Sequence, residues 1–213
     1  VTETRVERKE RTRRAILDAA LELCERQPLA ALSLRQVAKE VGVVPTAFYR
    51  HFESIDELGL ALVDESFSSL RDLLRSARTF DAPPASDRAL FLAVVDNSVK
   101  ALVTHVPRAE RHFRFIARER LAGSAPVRKA VRHQLELIER ELATDIARVP
   151  GAGNWSGEDL LILANLLVNA MLSHAEELAL AGGRPDVVAR VEFTARRQLH
   201  IVLIGALRWE SRR

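Results

Sequence analysis

VGVVPTAFYRHF, residues 41–52, sets Val44, Phe48 and Phe52 four residues apart, the spacing of one buried helical face. Between them stand Pro45, Thr46, Tyr49 and Arg50, which share the opposite side. A solvated helix shows Glu and Lys there. This one shows a proline, a hydroxyl and a phenol, and residues 44–51 contain no Asp or Glu. The exposed side is slim, rich in hydrogen-bonding groups and free of negative charge.

The preceding stretch, SLRQVAKE at 33–40, supplies the context. Ser33 and Gln36 have the spacing of a capping box, in which hydroxyl and amide each satisfy an orphan backbone N–H. Leu34, Val37, Ala38 and Val41 form an inner face, and Gly42 follows where a short helix needs a left-handed residue to stop. Pro45 fits the first turn of a second helix, which needs no N–H there. Helix, glycine turn, helix is the helix-turn-helix arrangement, whose second helix enters the DNA major groove by its N-terminal residues. Pro45 and the Thr46 methyl then suit a thymine methyl, and hydroxyls reach bases or phosphates. Val44, at the head of this helix, joins that DNA-facing set.

Outward from this core the pattern stays helical. A first helix is expected over 8–26, with Ile16, Ala20, Leu23 and Cys24 as one stripe and Gln27-Pro28 as its end. Cys24 on that stripe reads as a packing thiol. Ser54 and Glu57 open a long helix over 55–78, carrying Ile55, Leu58, Leu62, Leu70, Leu73 and Ala77. TFDAPPAS, 79–86, is a break. Four or five more helices follow: one over 91–105, one resuming after Pro107, one begun by Ser124 and Pro126, one capped by Ser156 and Asp159, and one from 186 to the end. PGAGNWSG, 150–157, is a loop, and GGRP, 182–185, separates the last two helices. No segment of any length has strand period. The expected class is all-α: a helix-turn-helix module with its basic arm at 1–52, a linker helix at 53–78, and a helical effector-binding and dimerisation domain at 79–213.

Composition agrees. Of 213 residues 47% are apolar and 5% aromatic, with Ala and Leu dominant, which favours helix packing. The net charge of +3 sits in residues 1–14, where six basic residues face three acidic ones. Such an arm suits a polyanion, although basic tails are also simply solvated. One cysteine excludes an internal disulfide framework and fits a reducing cytoplasm. The start of the chain has no apolar signal-peptide core, and the runs DLLILANLLV and HIVLIGAL fall short of the roughly 18 residues of a membrane span. A cytoplasmic protein without a membrane partner is expected.

Residues 8–65, with RTRRAILDAALEL and then SLRQVAKEVGVVPTAFYRHFESIDEL, resemble the TetR family of bacterial transcriptional regulators. PTAFYRHFESIDELGLALVDES and FIARERLAGS resemble its subgroup of unsaturated fatty-acid synthesis repressors. The resemblance implies a repressor that binds a palindromic double-stranded operator as a homodimer and holds a small effector in its C-terminal body. It implies that Ser33 and Arg35 touch phosphate, that Pro45, Thr46 and Tyr49 face the groove, and that His51 contacts the backbone. Val44, Arg50, and Arg11 and Arg14 of the basic arm complete the DNA-binding set. Many family members carry a lysine just after the cap of the linker helix; Ile55 stands there, so the basic arm is left to supply that phosphate grip. Tyr49 has packing on the first helix as its alternative, and His51 a structural role.

Candidate effector residues are Phe91, Val95, Phe115, Val168 and Met171 as an apolar lining, with Arg111 and Arg118 from an arginine stripe that includes Arg114. The stripe reads either as a solvated face or as the cationic mouth of an acyl-chain tunnel, where guanidinium forks suit the phosphates of acyl-CoA. A small hydrophobic drug or metabolite is the alternative effector. Asn165, Asn169 and His174 lie in a largely apolar helix, Asn165 and His174 reading as structural and Asn169 as open to a ligand. His105, Glu110 and His112 are split by Pro107 and make a poor metal set, so neither metal nor cofactor is expected. No GxSxG, phosphate loop or dinucleotide fingerprint is present, which argues against an enzyme, including one acting on acyl thioesters. The last two helices are apolar on more than one side and read as the dimer contact, with Val187, Thr194, Ile201 and Gly205 towards the partner.

Overall fold

A computed structural model describes residues 4–78, 87–149, 155–206 and 208–211, with the side chains of 87–89 and 91 outside that description. The expected break at 79–86 and most of the loop at 150–157 lie outside the described residues. Among those described, the chain forms α-helices and two short 3-10 turns, with no strand. Two compact units interleave along the sequence: Val1–Ser68 with Arg114–Arg132, and Ser69–Phe113 with His133–Arg213. The packing units therefore differ from contiguous segments cut at 52 and 78, because Arg114–Arg132 packs with the N-terminal residues.

In the first unit, α1 spans Arg5–Leu23 and begins earlier than the expected residue 8. Thr4 caps it through the Glu7 N–H, and the Glu7 carboxylate accepts the Thr4 N–H at 2.7 Å. Most of the basic arm is thus the opening turns of a helix. Ile16, Leu17, Ala20 and Leu21 form its buried stripe, joined by Cys24 just beyond the end. Burial pushes the Cys24 thiol up to about 12, so it packs as a protonated, inert group. A 3-10 turn, Leu29–Ala31, leads to α2, Leu34–Val41.

The long helix α4, Ile55–Ala77, opens with Ser54 accepting the Glu57 N–H at 3.0 Å. The Glu57 carboxylate returns to the N–H of Glu53, one residue before the cap, instead of Ser54 itself. Gly59 lets this helix approach closely: a Cβ there would lie 2.4 Å from Leu29 Cδ2 and 2.8 Å from Val127 Cγ2. Helices α6, Glu110–Ala122, and α7, Ala125–Ala147, contribute the remaining wall. Ser124, ahead of α7, donates its hydroxyl to Asp56 at 2.6 Å.

The second unit holds the C-terminal part of α4, then α5, Asp87–His105, a 3-10 turn at Val106–Ala109, the far part of α7, α8, Gly157–Leu180, and α9, Pro185–Ala206. Helix α5 packs on α9, and α9 on α8. Val95, Val99, Leu102, Phe113, Leu178 and Val191 are among the buried residues of its core. Among the described residues no helix is long and apolar enough to cross a membrane, and no cluster of metal-ligating side chains occurs.

Candidate nucleic-acid interface and effector cavity

The reading element hangs on two buried rings. Phe48 and Phe52 are fully enclosed, 6.1 Å apart between centroids. Each such burial stabilises by about 1.5–3 kcal/mol, which fixes which side of the short helix looks outward. That helix, α3, covers only Pro45–Phe48, and residues 49–51 continue as hydrogen-bonded turns. Val44 departs from the buried face expected of its spacing: it is the N-cap and is 64% exposed. Extended backbone at the cap, φ −69° and ψ 144°, swings its side chain away from the Phe48 side.

Gly42 sets the angle of approach. Its φ of 74° is left-handed, and the Val43 N–H returns to the Ala38 carbonyl at 3.0 Å. Ser33 and Gln36 form the expected capping box. Together these place Ser33, Arg35, Val44, Pro45, Thr46, Tyr49 and Arg50 on exposed surface. Tyr49 is 54% exposed and touches Phe48 edge-on, centroids 6.4 Å apart.

Arg13 was absent from the sequence-derived set. Its guanidinium lies 4.4 Å from the centre of the Phe52 ring and donates to the His51 carbonyl at 3.4 Å. Its position three residues before Ile16, on the inner stripe of α1, was the available signal. Arg14 is placed differently: it pairs with Glu65 of α4 at 2.7 Å and with Asp18 at 3.0 Å. Arg11 is exposed on α1. His51 is half-buried, with no hydrogen-bond partner for its Nδ1 among the described residues. Burial, with Lys9 and Arg13 adding, holds its imidazole below the usual range, leaving it neutral at pH 7.

The second unit contains an apolar cavity of about 480 Å³, a volume suited to a drug-sized ligand. Val95, Val168 and Met171 are among its lining residues, with Leu73, Val94, Phe113, Leu142 and Leu199. The other candidates that the structure describes are not part of its lining. Phe91 lies outside the described side chains. Phe115 is buried in the first unit. Arg118 donates to the carbonyls of Cys24 and Glu25, where α1 ends and its carbonyls lack helical partners. Arg111 is exposed and, like Arg114, is not among the lining residues. The arginine stripe is therefore not the mouth of this cavity. Asn169 is exposed and bonds to the Asn165 carbonyl within its own helix, while Asn165 donates to Glu139 at 2.9 Å. His174 is structural, 2.8 Å from Gln198 across the α8–α9 contact.

Residues 16–62, from the second half of α1 through the helix-turn-helix to the start of α4, match the family profile described as bacterial regulatory proteins, tetR family. This N-terminal segment is similar to the DNA-binding region of the TetR family. Solved structures of this fold extend the likeness to the full length. A transcriptional regulator from Pseudomonas aeruginosa PAO1 is 16% identical, with a TM-score of 0.68 over 93% of this chain and 91% of that one. A transcriptional regulator from Rhodococcus sp. Rha1 is 25% identical, TM-score 0.60, over 92% and 96%. SmeT in complex with triclosan is 21% identical, TM-score 0.63, over 91% and 90%. The chain thus has the all-α fold of these proteins, an N-terminal helix-turn-helix followed by a helical C-terminal domain. The family consists of non-enzymatic DNA-binding proteins.

Proposed function

We propose that the chain is a cytoplasmic repressor that binds a palindromic operator as a homodimer and responds to an apolar effector held in the 480 Å³ cavity. One observation carries the DNA reading. The outward face from Val44 to Arg50 has no carboxylate and is held in place by fully buried Phe48 and Phe52. In this reading Pro45, Thr46 and Tyr49 meet base edges, while Ser33, Arg35, Arg50, His51 and Arg11 meet phosphates. Arg14 is the least suited of the set, since a phosphate must compete with Glu65.

Dimerisation is assigned to α8 and α9, where Leu161, Ile162, Leu166, Phe193, Ile201 and Ile204 are all exposed. So extensive an apolar surface on two packed helices suits a self-complementary contact. Val187 leaves this set, because it is 2% exposed and packs in the core.

For the effector, the apolar lining supports a long-chain acyl compound, with about 0.8 kcal/mol gained per buried CH₂. The acyl-CoA form of that idea loses its arginine mouth. A small hydrophobic drug is the second reading, favoured by the similar fold of SmeT in its triclosan complex. Selection from random duplexes tests the DNA role: recovery of a palindrome by the native chain, lost in Tyr49→Ala, is expected. No enrichment over random sequence overturns it. Release of the selected duplex by acyl chains of increasing length, or by apolar drugs instead, separates the two effectors.

A further inference from the structure

The cavity lining is apolar apart from Ser98 and one charged group, Arg78, Asp145 and Arg148. Arg78 Nε lies 2.8 Å from Asp145 Oδ2, and Arg148 Nη1 lies 3.5 Å from Asp145 Oδ1. Arg78 also approaches Glu141 at 3.8 Å, but Glu141 is not part of the wall. Among the described residues of the lining, a molecule in the cavity therefore meets two guanidiniums and one carboxylate, and that carboxylate is ion-paired with both.

From this geometry we infer that the effector is an amphiphile with an apolar body and a compact anionic head, a carboxylate or its equivalent, received by Arg78 and Arg148. The inference rests on the cavity being the effector site, as proposed above. Two guanidiniums offer more N–H donors than one carboxylate accepts, and their planar forks match a second carboxylate. A cationic head faces the opposite situation: the carboxylate among the described lining residues is already ion-paired with both arginines. An uncharged head leaves those donors to Asp145 and water. The side chains of Arg78, Asp145 and Arg148 are 45%, 37% and 76% exposed, so the head sits at the solvent end while the body fills the apolar interior. Asp145 is in this arrangement the competitor of the ligand, occupying the guanidiniums while the cavity is empty.

The test uses the full-length protein and three probes of equal chain length: decanoate, decanol and decylamine. Binding is followed by calorimetry at low salt and neutral pH. Decanoate is expected to bind roughly fivefold tighter than decanol, a preference limited by solvent screening at an exposed end. Arg78→Gln with Arg148→Gln removes that preference, and Asp145→Asn increases it. The Asp145 variant gives the opposite sign for a cationic ligand, whose affinity falls when the carboxylate is lost. Val168→Phe, which narrows the cavity, is expected to block all three probes. Decanol or decylamine binding as tightly as decanoate, with Val168→Phe still blocking them, overturns the anionic head and leaves the apolar effector site standing. Probes that bind regardless of Val168→Phe, or none that bind at all, overturn the cavity as the effector site and this inference with it.

Discussion

Glu119 Oε1 accepts the backbone N–H of Leu29 at 3.1 Å, joining α6 to the 3-10 turn that precedes the helix-turn-helix. Both residues are buried, and Oε2 has no hydrogen-bond partner among the described residues. Burial raises the Glu119 carboxyl above its ordinary value of 4.5, against the opposing pull of the Leu29 N–H and Arg118. The folded state therefore holds this proton more readily than the unfolded chain. Its contribution to stability is full below the ordinary carboxylate value and declines as pH rises through the folded one. Glu119→Gln is expected to flatten that decline. Glu119→Ala leaves the Leu29 N–H buried without an acceptor and costs about 1–3 kcal/mol. Urea unfolding at pH 5 and pH 8 measures both, and an unchanged pH slope in Glu119→Gln rules out this role.

Gly59→Ala is expected to destabilise the protein by about 1 kcal/mol. The methyl gains helix propensity of about 1 kcal/mol but collides with Leu29 and Val127, and overpacking costs about 1–3 kcal/mol. The stiff Val127 cannot turn aside as a leucine end does. A thermal melt showing stabilisation means that the α4–α7 approach relaxes without cost.

Tyr49→Ala and Arg13→Ala separate reading from support. Tyr49 is exposed, so its removal costs no more than about 1 kcal/mol of stability. If the phenol reads a base, discrimination between operator and random duplex falls by about 1–3 kcal/mol. Arg13 packs on Phe52 beneath the reading element, so Arg13→Ala lowers stability by about 1 kcal/mol and weakens binding to every sequence. Equal discrimination in native and Tyr49→Ala proteins assigns the tyrosine to packing.

His51 gives a pH signature. Its imidazole is neutral in the free protein at pH 7, and a phosphate beside it raises its proton affinity. Binding then takes up a proton, so operator affinity rises as pH falls from 7.5 to 6. The same depression makes the free fold less stable as pH falls through the ordinary value of 6.5, because the unfolded imidazole charges first. Fluorescence anisotropy across this range, with His51→Gln flat, checks the contact. An identical pH profile in the variant removes His51 from the interface.

Ile201→Glu places a charge on the exposed α8–α9 face. Sedimentation is expected to show a monomer near 23.8 kDa and operator binding is expected to collapse, because the paired half-sites about 34 Å apart need two heads. A dimer that survives the charge moves the interface elsewhere.

The local signals were readable in the sequence. The Ser33 and Gln36 spacing, Gly42 and Pro45 each act within a few residues, through a cap, a left-handed turn and a fixed φ. Their outcome depends on covalent neighbours, so periodicity and turn chemistry were enough to place the helix-turn-helix. Val44 shows the limit of spacing alone: it stands four residues from Phe48, yet as the N-cap it is exposed, on the side where the DNA-facing set also put it.

The cavity and its lining were decided by tertiary structure. Arg111, Arg114 and Arg118 lie on one helical stripe, yet Arg118 is spent on carbonyls at the end of α1, contributed from 93 and 94 residues away. Arg78 and Asp145, distant in sequence, meet at 2.8 Å beside the cavity. The sequence by itself determined the helices, their caps and the carboxylate-free character of the exposed side of residues 44–50, because those follow from local hydrogen bonding and period. Only the packing decided which arginines serve the cavity and which serve helix ends, because a guanidinium satisfies whichever acceptor the fold brings within reach.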